Sequence, residues 1–415
     1  MNGAAVMWMM ALACSAPSDA DDDTGAETDE PVVDTDTEVL DTDTDTDPDT
    51  DTDEPDTGRD DDEAYAAFYD PNVVQRIDLE LGEDALAALR ADPETYVSGV
   101  FVHDGYRLEN VGVRLKGGSS TFEPIDEKPS FKLKLDEFEE SLDYGGFDRV
   151  NLHNMRADPA QAREVVAYAV WAAAGYAAPR ANFAEVYVNG ASYGVYANVE
   201  EVDGAFAERH FAEPDGDLWD AGDPADLTGD YYDNYESVGG DGDLDALDAA
   251  RRQIQTGDGA FYDVANEVLV MDQFLDFWAW QIATANEDGY PYDLDDHALY
   301  ADPAEGGRYV YVPWGLDETW DTTMEWDAYA GTVAVKCAYD TACLLALETR
   351  VAAALATYEG LGIDVIARAA LDVSLSAVQS DSRRDLPLGD VTVARSQLLT
   401  AINGRPAAVR LQMGL

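Results

Sequence analysis

A cluster of basic side chains surrounds a glycine-rich turn in a chain that is otherwise strongly acidic. The chain has 25 Lys and Arg residues against 86 Asp and Glu residues, a formal net charge of −61. The cluster consists of Arg114, Lys116, Lys128, Lys132 and Lys134. Its turn, Gly-Gly-Ser-Ser at 117–120, would let backbone N–H groups approach an anion, and a lysine on the next strand could reach the same anion. The pattern suggests a phosphate site, although most such turns only connect two strands.

Carboxylates that follow predicted helices and strands form a second candidate cluster. Asp288 follows a long apolar helix in "ANEDG", Asp296 opens a strand, and Asp317 follows another strand in "PWGLDETW". Mg²⁺ prefers hard oxygen ligands and is often shared with substrate phosphates. In so acidic a chain, however, Asp residues in loops are usually just solvated, so composition leaves both interpretations open.

Length and charge limit the classes of protein to consider. A chain of 415 residues is long enough for two to three domain-sized units. Residues 15–63 hold 23 acidic residues against one basic residue, Arg59. Such a segment cannot bury enough apolar surface to offset chain entropy, so we expect residues 15–64 to be a disordered tether. The acidity of the remainder argues against a nucleic-acid partner, since binding needs basic patches that neutralise phosphates.

The N-terminus predicts export. Residues 1–14, "MNGAAVMWMMALAC", form an apolar run too short to span a bilayer but suited to a signal peptide. "ALAC" resembles a bacterial lipobox, which would make Cys14 the lipid-anchored first residue of the mature protein, facing the cell surface or the periplasm. The alternative is an uncleaved apolar N-terminus, since no Lys or Arg precedes the run.

Two further cysteines, Cys337 and Cys343 in "KCAYDTAC", are six residues apart. In an exported protein this spacing predicts a local disulfide. A zinc site is disfavoured because the chain has four histidines and none lies nearby.

Periodicity predicts an α+β fold. "VQRIDLEL", "GVFVHDGYRLENVGVRLKG" and "PSFKLKLDEF" alternate apolar and polar residues, as half-buried strands do. A helix is predicted from Asp158 and Pro159 to Gly175, and a hairpin turn at Asn189-Gly190. Residues 212–245 read as a long loop. "VLVMDQFLDFWAWQIATAN" reads as a buried helix, "HALYADPAEGGRYVYVPWGLDETW" as two strands, and the region from Leu344 as helical. A sheet-rich part is therefore expected up to about residue 200 and a mainly helical part after it.

The order of these motifs resembles the CotH-type kinase family, the spore-coat-protein-H kinases. The matching segments are "VGVRLKGGSSTFEPIDEKPSFKLKLDEF", "VNLHNMRADPAQAREVVAYAVWAAAG", "YVNGASYGVYANVEEVDGAFAERHF", "ANEDG" and "VPWGLDETW". The resemblance implies an atypical protein-kinase-like fold with two lobes, residues 65–200 and 201–415. It also implies that ATP with Mg²⁺ or Mn²⁺ binds between the lobes and that phosphate is transferred to Ser or Thr of a protein substrate.

The resemblance also implies a role for individual residues. Gly117, Gly118, Ser119 and Ser120 would cover the phosphates. Lys132 would contact them, with Lys128 and Lys134 as rivals, and Glu164 would orient that lysine through an ion pair, although a plain surface glutamate is an equal alternative. Glu200 would lie near the adenine. Asp288 would accept the proton of the substrate hydroxyl, and Asp296 and Asp317 would bind the metal.

Two positions depart from the family pattern. An acid expected at 315 is Gly315, and an Asn expected at 296 is Asp296. Two hypotheses therefore remain. One is a monomeric, surface-tethered kinase of exported proteins. The other is a catalytically impaired lipoprotein that keeps the fold as a binding or adhesion module. An oxidoreductase or hydrolase is disfavoured because the sequence has no Rossmann glycine fingerprint and no G-x-S-x-G elbow.

Overall fold

The computed structural model describes residues 61–118 and 120–415. The predicted signal peptide with Cys14, nearly all of the predicted tether, and Ser119 lie outside the described residues. Within this part of the chain, no helix is both long enough and apolar enough to cross a membrane.

The N-terminal half is built around a closed seven-stranded barrel. Its strands are β1 (Val74–Glu80), β2 (Val97–His103), β3 (Tyr106–Lys116), β4 (Ser130–Lys134), β5 (Arg149–His153), β6 (Ala181–Val188) and β7 (Ala191–Val199). They follow the order β1-β2-β3-β4-β5-β7-β6, and β1 closes the barrel by pairing in parallel with β6. All other pairs in the barrel are antiparallel.

The predicted alternation in β4 is confirmed. Phe131 and Leu133 are fully buried, whereas Lys132 and Lys134 face the other side and are partly exposed. Because successive side chains of a strand point to opposite faces, this pattern fills the barrel with apolar residues and keeps the lysines outside it.

Three helices accompany the barrel: α1 (Asp61–Phe68), α2 (Glu83–Ala91) and α3 (Arg163–Ala173). The predicted start of α3 was too early. The Asp158 carboxylate accepts hydrogen bonds from the N–H groups of Ala160, Ala162 and Arg163, and Gln161 has φ +50°. The chain therefore makes an irregular turn around Asp158, and the helix begins only after it.

The C-terminal half combines a second sheet with most of the helices. The sheet contains β8 (Leu218–Ala221), β9 (Tyr235–Gly239), β10 (His297–Asp302) and β11 (Arg308–Pro313), in the order β11-β10-β8-β9. The helices are α4 (Gly204–His210), α5 (Leu244–Thr256), α6 (Phe261–Ala265), α7 (Met271–Thr284), α8 (Thr332–Ala338), α9 (Thr341–Gly360), α10 (Ile363–Ser380) and α11 (Leu388–Met413). The fold is thus mixed α+β with a helical C-terminal region, as predicted.

Helix α7 is the centre of the larger apolar core, as its sequence predicted. Trp278 and Trp280 on this helix are buried, as are Trp171 on α3 and Trp320 after β11. The disulfide between Cys337 and Cys343 is also confirmed, with a Cα–Cα distance of 5.2 Å. The region 212–245 was wrongly predicted to be a loop, because its many Asp and Gly residues mask the short strands β8 and β9.

Candidate active site

Members of both clusters predicted from the sequence line one cavity of about 280 Å³. From the barrel it is lined by Lys116, Gly117, Gly118, Ser120, Thr121, Ser130, His153, Asn154 and Met155. From the C-terminal half it is lined by Asp223, Asp288, Asp293, Asp295, Asp296, Trp314, Gly315, Asp317 and Glu318. The fold therefore brings a cation and a glycine turn against a group of carboxylates that lie far away in the sequence.

The glycine turn is held by hydrogen bonds within itself. The Gly118 N–H donates to Thr121 Oγ1 at 3.1 Å, and the Phe122 N–H donates to the Gly118 carbonyl at 2.9 Å. Gly117 has φ +132°, and a Cβ there would lie 3.0 Å from the Phe122 backbone, so this position favours glycine. The positive charge beside the turn comes from the residue just before it, Lys116.

Lys132, the lysine predicted to contact phosphate, does not line this cavity. Its Nζ lies 2.8 Å from the carboxylate of Glu201, and Asn151, its partner across β4 and β5, donates to the same carboxylate at 2.6 Å. Burial raises the pKa of Glu201, but the charges of Lys132 and Lys116 outweigh it and bring the value down to about 2. Lys132 is thus engaged in a buried ion pair with Glu201, and the predicted pair with Glu164 is not formed.

The two alternative lysines also form ion pairs away from the cavity. Lys128 is buried and lies 2.8 Å from Asp381, at the end of α10, and Lys134 pairs with Glu137 at 2.9 Å. Lys116 is the lysine that reaches the cavity. The sequence carried one signal for it, its position directly before the glycines.

Lys116 is connected to Glu164 through a histidine. Lys116 Nζ lies 2.9 Å from His153 Nε2, and His153 Nδ1 lies 2.9 and 3.0 Å from the two Glu164 carboxylate oxygens. Burial raises the pKa of Glu164 to about 8, although Lys116 opposes the shift. Burial also lowers the pKa of Lys116, with Lys132 adding to the effect. Glu164 is therefore a buried residue with a defined partner and not a surface glutamate.

Glu200 lies away from the cavity. Its carboxylate accepts hydrogen bonds from the Tyr65 hydroxyl, the Arg209 guanidinium and, at 2.6 Å, the Arg180 N–H. These contacts tie α1 and α4 to the end of β7. The proposed place near an adenine is therefore not supported for Glu200, whereas its neighbour Glu201 faces Lys132.

The acids owe their positions to turns that follow α7, precede β10 and follow β11. Ala285 ends α7 with φ +50°, and Asp288 follows in the next turn. Asp296 has φ +49°, and Asp317 lies in a short 3₁₀ turn at Leu316–Glu318. Burial raises the pKa of all three carboxyls, that of Asp317 to about 7. A hydrogen bond from the Asp296 carboxyl to Asp288 lowers the pKa of Asp288 and raises that of Asp296.

Such buried, mutually repelling carboxyls suit a divalent cation. Mg²⁺ is commonly held by one or two carboxylates, with water and substrate phosphate completing its shell. Asp296 and Asp317 offer two such ligands beside the cavity. In the described part of the chain, no three potential ligands are close enough to hold a metal ion without further donors. Asp296 and Asp317 are therefore the residues that could hold such a cation.

The two departures from the family pattern meet in space. Gly315 has φ +53°, and a Cβ on it would lie 2.0 Å from Cγ of Asp296 and 2.1 Å from both carboxylate oxygens. The Asp296 carboxylate thus fills the space in which a side chain at position 315 would begin. In this backbone conformation a side chain at 315 would overlap the side chain at 296, and the Asp296 carboxylate occupies the space.

Several residues of the cavity were not singled out from the sequence. They include His153, Asp223, Asp295 and Glu318, whereas Lys116 was named in the basic cluster but not as the lysine that contacts phosphate. Burial raises the pKa of Asp295 to about 6 and that of Glu318 to about 7, so they belong to the same electrostatic cluster. Asp295, next to Asp296, could have been included on its position alone.

Comparison with known proteins gives two matches. Residues 113–346 match the family model described as CotH kinase protein. The inner spore coat protein H of Bacillus subtilis (strain 168) is 28% identical over 191 residues, which cover 43% of this chain and 51% of that protein. The chain thus spans about half the length of the curated relative that it matches. The family match includes the glycine turn, α3, β10 and β11, and every residue named above as lining the cavity.

Proposed function

Since the chain belongs to the CotH kinase protein family, we propose that it transfers the γ-phosphate of ATP to a Ser or Thr hydroxyl of an exported protein. The observation that carries this proposal is the shared cavity of about 280 Å³, in which Lys116 and the glycine turn meet Asp288, Asp296 and Asp317. Phosphoryl transfer depends mainly on positioning and on charge stabilisation around phosphate oxygens. The cavity contains one cation, Lys116, and carboxylates that could hold a metal ion.

Lys116 is proposed as the lysine that contacts the phosphates. It lines the cavity beside Gly117 and Gly118, whereas Lys132, Lys128 and Lys134 have carboxylate partners elsewhere. An ammonium group has three N–H donors. Among the described residues, Lys116 uses two of them, one to His153 at 2.9 Å and one to Asn151 at 3.4 Å. A donor therefore remains for an anionic oxygen.

Asp296 and Asp317 are proposed to hold Mg²⁺ or Mn²⁺ together with the phosphates. The metal would supply positive charge that neutralises the triphosphate. Asp288 would accept the proton of the Ser or Thr hydroxyl. The hydroxyl oxygen would form a bond to the γ-phosphorus, while the bond between the γ-phosphorus and the ADP oxygen breaks. Its half-buried position at the cavity edge gives it access to a substrate.

The second candidate function is that of a binding or adhesion module without catalysis. Gly315 favoured it, because a lost acid suggested a disabled metal site. The Asp296 carboxylate fills the space beside Gly315, so this reason no longer separates the two hypotheses. Export through Cys14 fits both of them, and the relative in Bacillus subtilis is itself named a spore coat protein.

The test is an assay of the purified chain with labelled ATP, Mg²⁺ and an exported-protein fraction. We expect metal-dependent labelling of Ser or Thr, located by mass spectrometry, and its loss in Asp288→Asn. Far-ultraviolet circular dichroism of the variant should match that of the parent chain. Absence of transfer, together with no thermal stabilisation by Mg²⁺ and ATP, would reject the kinase and leave the binding module.

A further inference from the structure

The wall of the cavity contains a continuous chain of three side chains from three different elements. Lys116 ends β3, His153 ends β5, and Glu164 lies in the first turn of α3. The contacts are 2.9 Å from Lys116 Nζ to His153 Nε2, and 2.9 and 3.0 Å from His153 Nδ1 to Glu164. We infer that His153 is a positioning residue for phosphate transfer, which connects Lys116 to Glu164 in place of a direct lysine–glutamate ion pair.

The chemistry of the two ends defines the state of the ring. An ammonium group can only donate hydrogen bonds, and a carboxyl oxygen can accept one whether or not the group is ionised. A neutral imidazole with its proton on Nδ1 accepts from Lys116 at Nε2 and donates to Glu164 at Nδ1. Burial, reinforced by the charge of Lys116, lowers the pKa of His153 well below 6.5, which agrees with a neutral ring.

The ring is also fixed by packing. The Trp314 indole meets His153 edge to face, with centroids 5.9 Å apart, and Lys116 Nζ lies 5.3 Å from the centre of the same indole. Trp314 directly precedes Gly315 in the acidic wall of the cavity. A substitution of His153 would therefore alter contacts with Lys116 in the barrel and with Trp314 in the acidic wall of the cavity.

The neighbours of Lys116 explain why a neutral connector is useful. Lys132 repels Lys116, while Glu201, Asp220 and Glu164 attract it. A carboxylate in direct contact would neutralise the ammonium, as Asp381 does for Lys128. The imidazole instead holds the ammonium by a hydrogen bond and leaves its charge available to an incoming phosphate.

The first experiment reads the ring itself and does not need activity. Nitrogen-15 spectra of histidine-labelled protein contain signals from four histidines, and the set that disappears in His153→Phe belongs to His153. We expect a neutral ring with the proton on Nδ1 even below pH 6.5, the ordinary pKa of histidine. A protonated ring, or a proton on Nε2, overturns the inference whether or not the chain is a kinase.

The second experiment measures the effect of His153 on catalysis and rests on the proposed function. His153→Phe should lower kcat/KM for phosphate transfer by about tenfold to a hundredfold, mainly through kcat. His153→Gln, whose amide can both accept and donate, should recover part of the loss. In a Lys116→Met background, His153→Phe should have no further effect, because the lysine that it positions is gone.

A matched control separates positioning from general loss of packing. His103 is another buried histidine, which contacts Tyr144 at 2.7 Å and Gln75 at 3.0 Å inside the barrel. His103→Phe should leave the transfer rate per folded molecule unchanged. Equal rates for His153→Phe and the parent chain, or additive losses with Lys116→Met, would refute the positioning role alone. No transfer by the parent chain would instead refute the proposed function.

Discussion

Lys116 and Lys128 lie on either side of the same glycine turn, yet the fold uses them differently. Lys128 has 6% of its side chain exposed and is paired with Asp381, which has none exposed and also accepts from the N–H groups of Val195 and Arg383. Lys116 meets a neutral imidazole and an amide. The comparison suggests that a buried lysine paired with a carboxylate has a structural role. A lysine that is held by neutral partners beside a cavity remains able to bind an anionic ligand.

The largest expected effect is on catalysis. Lys116→Met should lower the rate of phosphate transfer by about a hundredfold or more, because one cation that stabilises the transferred phosphate is lost. The free energy of unfolding should stay within about 1 kcal/mol of the parent value, since among the described residues Lys116 is held by Asn151 and His153 and not by an ion pair. Single-turnover transfer and urea denaturation measure the two quantities. A large loss of stability would place Lys116 in the same class as Lys128.

Lys128→Met should give the opposite result. Removing one member of a buried ion pair leaves Asp381 buried without its partner, at a cost of about 3–5 kcal/mol. The rate of transfer per folded molecule should be unchanged at a temperature where the variant is folded. A double change, Lys128→Met with Asp381→Leu, should restore part of the stability. Full stability in the single variant would contradict the assigned role.

A smaller effect is expected from exchanging the carboxylate between positions 296 and 315. Gly315→Asp alone should displace Asp296, because the new Cβ would lie 2.0 Å from its Cγ. We expect thermal stabilisation by Mn²⁺ and ATP to be lost and transfer to fall by about tenfold or more. Gly315→Asp combined with Asp296→Gly should recover both, because glycine at 296 removes the side chain that the new Cβ would meet. If the double variant is no better than the single, the two positions do not share one carboxylate.

The smallest effect concerns pH. Burial raises the pKa of Asp317 from 3.8 to about 7, and the negative charge of Glu164 is the second cause of the increase. The folded chain therefore binds protons more tightly than the unfolded chain, and stability falls as pH rises through this range. Without metal, the melting temperature should drop by roughly 2–4 °C between pH about 5 and pH about 8. Asp317→Asn should reduce the drop, and Mg²⁺ with ATP should oppose it. A rise over this range would contradict the assignment.

The sequence predicted the fold better than the individual contacts of the site. Alternation located β3 and β4, the Asn189-Gly190 turn located the hairpin, and apolar character located α7, because these signals depend on neighbours along the chain. The choice between Lys116 and Lys132 depends on what lies opposite each in space. Glu201 pairs with Lys132 and accepts a hydrogen bond from Asn151, and neither residue is near Lys132 in sequence. The shared space of Asp296 and Gly315 likewise arises only after β10 and β11 have paired.

The parallel pairing of β1 with β6 has a consequence for biogenesis. A chain synthesised from its N-terminus presents Val74–Glu80 long before Ala181–Val188 is available. Until then one side of β1 has unpaired N–H and C=O groups, which are a template for unwanted strand addition. Once β6 pairs with β1 the barrel has no edge left, so the last pairing step converts an intermediate that other strands could extend into a fold that they cannot.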